Sequence, residues 1–183
     1  MTAGLVVLLF ASAFGSPIQA NSLGAPGCGP ADVQFDVKTD NGTHAAPPPE
    51  PEKALIIFMQ DDTEFDSIPR PTTRFGSDGA WVGATHANSY FYVSVAPGEH
   101  HLCASWQSDV GSDTSALSTA ASHFTAEGGK TYYFQARDYA RRDHGAFFGS
   151  AGFFAEVTLE PVDTDEGEVL MNSFAFSSSH AKK

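Results

Sequence analysis

The chain has 183 residues, 42% of them hydrophobic and 17% charged, with a formal charge of −12. That is enough chain for one domain with a proper core but hardly for two, and too apolar for a disordered chain. The acidic balance argues against a basic face that binds nucleic acid or anionic lipid.

The N-terminus reads MTAGLVVLLFASAFGSPIQANS, an apolar run from Leu5 to Phe14 followed by small residues. This is the shape of a secretory signal. The run is too short for a membrane-spanning helix, which needs about 20 apolar residues, so no transmembrane span is expected. Cleavage is placed after Ala20, with Gly15 as the alternative, although no Lys or Arg precedes the run. Residues 1–20 are thus read as a signal peptide and 21–30 as an N-terminal segment. The expected location is exported, periplasmic or secreted. Lipoprotein anchoring at Cys28 is disfavoured, because LGAPGC places Pro26 just ahead of it and leaves it far from the apolar run.

Export decides how the two cysteines are read. In an oxidising compartment Cys28 and Cys103 most simply pair. The bridge would close a loop of about 75 residues, for which chain entropy gives roughly 4 kcal/mol at most.

ADVQFDVK, from Ala31, alternates with Val33, Phe35 and Val37 on one face, the pattern of a half-buried strand. Thr39 to Lys53 is rich in Pro and Gly and reads as a solvated loop of polyproline character. ALIIFMQD, Ala54 to Asp61, is a continuous apolar run, as in a strand covered on both faces. Asp78-Gly79 between two short runs signals a type I′ hairpin. Strands follow near Ser89–Val95 and His101–Trp106, joined by a Pro97-Gly98 turn. On the second of these Leu102, Ala104 and Trp106 share one face, and His101, Cys103 and Ser105 the other. Cys103 therefore points away from the core, where the incoming N-terminal segment can meet it.

SHFTAEGGKTYYFQARD reads as two strands around Gly128-Gly129, with Tyr132, Phe134 and Ala136 on one face of the second. Arg137, Arg141 and Arg142 cluster after it and read as a solvated loop patch rather than a phosphate site. YARRDHGAFFGSAG is a glycine-rich loop. In FFAEVTLEPV, Phe153, Ala155, Val157 and Leu159 face inward. A short helix starts near Asp165, with Asp163 or Thr164 as its cap, and residues 177–183 are expected to be a disordered tail. About seven short strands separated by turns predict an all-β fold, a single β-sandwich spanning 31–176. The alternative is an α+β fold with a helix near Ala116–His123.

The blocks GCGP, KALIIFMQDD, PTTRFGSDGAWVGATHANSYF, VAPGEHHLCASWQS, AEGGKTYYFQAR and LEPVDTDEG, in this order, resemble the DUF2846 family. The resemblance covers about Gly27 to Ser179. It implies an exported bacterial protein, lipid-anchored in some members, and it brings no catalytic motif. VAPGEHHL also resembles the turn-and-strand signature of PEGA-like and transthyretin-like β-sandwich modules, which agrees with the fold by analogy.

The residues offer three candidate chemistries. A metal site needs three or four converging ligands. His100 and His101 are adjacent and on a strand face opposite ways, so either would need His86, His123 or His144 from elsewhere in the fold. A cysteine nucleophile would use His101 and Cys103, which share a strand face two residues apart; export and the second cysteine favour the disulfide. The acidic stretches QDDTEFD and DTDEG read as solvated loops, and the second lacks the ladder of an EF-hand. Tyr90, Tyr92, Phe147 and Phe148 are read as packing residues, or as an interaction patch if exposed. The expectation is therefore a protein without catalytic activity or cofactor. It would act as an interaction module for an unknown protein or cell-envelope component. The alternative is a small metal-binding protein or thiol hydrolase built on the His101/Cys103 neighbourhood, with His100, His101 and His86 the candidate ligands.

Overall fold

A computed structural model describes residues 27–42, 45–65, 69–107, 118–143 and 152–183. Along these residues the strands are β1 (Phe35–Asp40), β2 (Ala54–Asp61), β3 (Thr72–Ser77), β4 (Ala80–His86), β5 (Ser89–Val95), β6 (Gly98–Trp106), β7 (Thr119–Ala126), β8 (Thr131–Asp143), β9 (Gly152–Val157), β10 (Glu160–Val162) and β11 (Ala175–Ala181). One helix, α1 (Thr164–Ser173), precedes the last strand.

Two sheets face each other. The larger runs β1-β11-β5-β2-β8-β10, with β9 also on β8, and the smaller runs β4-β3-β6-β7. The larger sheet is mixed, because β2 lies parallel to β8 and β11 parallel to β5. Between the sheets lies the main core. It takes Ile56, Phe58, Phe91, Phe134 and Ala136 from one side and Phe75, Leu102, Ala104 and Trp106 from the other. Phe58 sits at its centre, with the rings of Phe75 and Phe91 at 5.0 and 5.4 Å.

The continuous apolar run of β2 is explained by a second cluster on its other face. Leu55, Ile57 and Met59 pack there with Tyr90 and Tyr133, under Leu170, Met171 and Phe174 from the helical segment. Helix α1 is capped by Asp163, whose carboxylate accepts from the Glu166 N–H. The hairpin turn between β3 and β4 has both central residues at positive φ, Asp78 at 54° and Gly79 at 85°, as a type I′ turn requires.

Four expectations need correction. Arg137, Arg141 and Arg142, expected in a loop after the strand, lie within β8 itself, which continues to Asp143 because β9 pairs with it from Asp138 to Asp143. The strands number eleven among the described residues rather than about seven: the run from Phe153 to Val162 divides into β9 and the three-residue β10, and β11, AFSSSHA, carries no apolar alternation. Residues 119–123, expected in the alternative reading to be helical, lie in β7, paired with β6 from Thr119↔Ser105 to His123↔His101. There the cross-strand ladder overrides local helix propensity; Ala116 lies outside the described residues. Most of the expected disordered tail is strand: Ser177–Ala181 belongs to β11, which pairs with β1 from Phe176 to Ala181. Its serines also bind the neighbouring sheet, with Ser177 Oγ donating to the Ala84 carbonyl and the Ala84 N–H donating to Ser179 Oγ. Those bonds join β11 to β4 where the two sheets meet.

Candidate functional site

The N-terminal segment crosses the outer face of the smaller sheet as a strap. Cys28 and Cys103 are joined by a disulfide, with their Cα atoms 5.1 Å apart, so the sequence pairing holds. Around it the sheet is shaped to receive backbone. A side chain at Gly76 would collide with the Gly27 carbonyl. Arg74 Nη1 donates to the carbonyls of Ala31 and Val33 at 3.1 and 2.6 Å. Its guanidinium lies 4.5 Å over the Trp81 ring, and Trp81 Nε1 donates to the Pro30 carbonyl at 2.7 Å. Burial pulls the Arg74 pKa below its ordinary value, a direction that leaves the guanidinium charged.

The histidines diverge. His100 turns inward at the sheet edge, with Nδ1 2.6 Å from Asp78 Oδ2 and Nε2 2.8 Å from the Ala96 carbonyl. His101 is exposed and lies opposite His123, with ring centroids 6.4 Å apart. His86, at the end of β4, pairs in register with Thr72. Asp78, which His100 contacts, lies beyond the opposite end of β3. A strand of that length separates the two histidines by about 20 Å. His144 lies outside the described residues. Among the described residues, no three histidine, cysteine, aspartate or glutamate side chains converge to hold a metal ion. The proposed nucleophile is also corrected: Cys103 is fully buried and its sulfur is bonded to Cys28. A disulfide sulfur is neither a thiolate nor a metal ligand.

The two acidic stretches part company. Asp165 and Glu166 occupy the exposed first turn of α1, where carboxylates suit the helix dipole. Asp62, in contrast, is fully buried rather than solvated. Its backbone N–H donates to Asn88 Oδ1, and Arg70 Nη1 lies 2.5 Å from its Oδ1. Near it, from β8, comes a second buried carboxylate that the sequence reading passed over, Asp138. Its signal was present: Phe134, Ala136, Asp138 and Ala140 alternate on the inward face of one strand, and an aspartate among them has to be satisfied by partners inside.

The aromatic candidates also resolve. Tyr90 is buried and Tyr92 half-buried, both against Phe176; Phe147 and Phe148 lie outside the described residues. A different aromatic group is partly open. Phe124 of β7 contacts Tyr132 and Phe134 of β8 at 4.8 and 5.0 Å. Together with Pro161 and Val162 these rings line a cleft of about 360 Å³ at the edge between the sheets. Thr125, Thr131, Asp163 and Thr164 also line it, so the cleft offers aromatic faces beside polar groups.

Comparison with known protein families, with curated proteins and with solved structures finds no match to this chain.

Proposed function

We propose that this protein is an exported β-sandwich module without catalytic activity, working by binding a protein or another component of the cell envelope. The observation that carries the reading is the Cys28–Cys103 disulfide, which ties the N-terminal strap across the smaller sheet. A pairing of the two cysteines over 75 residues suits an oxidising compartment, and the apolar run from Leu5 agrees with delivery there. The resemblance to DUF2846 belongs to the same reading. Binding is supported by the open aromatic cleft around Phe124, Tyr132 and Phe134. The lack of chemistry is supported by a thiol pair consumed in a disulfide and histidines that point apart. Among the described residues no helix is long and apolar enough to cross a membrane.

The test is the intact mass of protein exported by a bacterial host, before and after reduction and alkylation. The expected mass begins at Asn21, and two alkyl groups add only after reductant. A mass beginning at Cys28 with added lipid would replace this reading with a membrane-tethered lipoprotein. Rapid labelling of Cys103 without reductant would remove the disulfide and reopen thiol chemistry.

A further inference from the structure

Asp138 is 1% exposed and gathers donors from both sheets. Trp106 Nε1 of β6 donates to its Oδ1 at 2.8 Å, and Thr73 Oγ1 of β3 to its Oδ2 at 3.1 Å. Gln60 Nε2 of β2 donates to Oδ2 at 2.5 Å. The same amide group donates to the Pro71 carbonyl and accepts from Thr85 Oγ1 of β4. One carboxylate thus holds β2, β3, β4, β6 and β8 in a single polar network through an otherwise apolar interior.

The charges around it do not balance. Asp62, fully buried, is the charged neighbour from the segment after β2, and its carboxylate oxygens receive no well-aligned hydrogen bond. Among the described residues the one cation on the pair is Arg70, half exposed and set against Asp62. Among the same residues, the uncharged Thr73 of β3 and Trp106 of β6 bond the group, Thr85 of β4 reaches it through Gln60, and its β9 neighbour in register is Val157. Two carboxylates out of water with one guanidinium leave a place for one proton. The network can take it. The indole and amide N–H groups must donate, but a hydroxyl rotates, so Thr73 can accept from a protonated Asp138 as readily as donate to the ionised form.

We propose that Asp138 is a proton-binding latch between the two sheets, closed when protonated and strained when ionised beside Asp62. Burial first, and the Asp62 charge in addition, push its pKa up to about 7 against the lowering by its three donors. A carboxyl raised in the folded state adds stability that is complete below the ordinary aspartate pKa. That stability is lost as pH rises through about 7. The module is therefore firmer in mildly acidic than in mildly alkaline surroundings.

The Trp106 indole N–H reports the latch directly, and the chain has only two tryptophans to assign. The experiment follows both indole resonances of the folded, ¹⁵N-labelled protein by NMR from pH 5.5 to 8.5. Trp106 should titrate with a midpoint near 7 and Trp81 should not share it. Asp62→Asn should move that midpoint to lower pH, and Asp138→Asn should abolish it. A Trp106 resonance that stays flat in the wild-type protein overturns the proposal, whether or not the variants fold. So does a titration that persists unchanged in Asp138→Asn.

Discussion

His100 bridges Asp78 and the Ala96 carbonyl, with Nδ1 2.6 Å from Asp78 Oδ2 and Nε2 2.8 Å from the carbonyl oxygen. The carbonyl can only accept, and an ionised Asp78 likewise, so this geometry favours the imidazolium, the form with two N–H groups. Burial opposes that charge, but the hydrogen bonds to Asp78 and Ala96 and the Asp78 charge outweigh it and raise the His100 pKa. Asp78 is likewise disfavoured by burial, yet its bonds from His100, the His101 N–H and Ser77 hold its pKa below the usual value. The contact locks the β3–β4 turn to β6.

The stability from this pair is confined to a pH window. The His100 part is complete below pH about 6.5, the ordinary histidine value, and is lost as pH rises through its raised pKa. The Asp78 part is present above about 3.9 and is lost as pH falls through its lowered pKa. Replacing His100 by Gln should therefore lower Tm more at pH 5.5 than at pH 8.5. Asp78 is 46% exposed, so the difference should be on the order of 1 kcal/mol or less. An equal loss at both pH values, read by thermal unfolding, would argue for packing rather than charge. The same variant separates His100 from Asp138, which titrates with the same sign.

Removing the disulfide should be the most damaging change outside the core. In Cys28→Ser with Cys103→Ala, urea unfolding is expected to show a loss of about 2–4 kcal/mol. The strap should then become the first segment cut by protease, because the hydrogen bonds that remain, from Arg74 to Ala31 and Val33 and from Trp81 to Pro30, can open without breaking a covalent link.

Arg74 is the second tie of that strap. Arg74→Lys keeps the charge but loses the fork that reaches two carbonyls and the flat ion that lies on Trp81. A loss of about 1–3 kcal/mol is expected, with faster hydrogen exchange across Ala31 to Phe35. An unchanged exchange pattern would show that the disulfide holds the strap unaided.

Phe58 is fully buried at the centre of the inter-sheet core. Phe58→Ala should cost about 3–5 kcal/mol by chemical denaturation, and Phe58→Leu clearly less, because the cavity left is smaller. A small loss in the alanine variant would mean that Phe75, Phe91 and Phe134 close the gap.

The residues alone determined what repeats over short distances. The alternation of Phe153 to Leu159, the unbroken run of β2 and the Asp78-Gly79 turn each encode a local backbone geometry, because side chains alternate across a strand every two residues. That alternation also placed Cys103 on the outer face, and the expectation of an oxidising compartment pointed to Cys28 as its partner. The last strand was illegible for the same reason. AFSSSHA carries no apolar alternation, and it is held by β1, about 140 residues earlier in the chain, and by the backbone of Ala84. The parallel neighbours of β2 and β5 were hidden too, since pairing between distant strands leaves no local trace. The sequence placed His100 and His101 on opposite faces, but only the tertiary structure gave His100 its acceptors and brought Asp138 beside Asp62. A titrating group takes its charge state from whatever the fold sets around it, and those neighbours come from strands far apart in the chain.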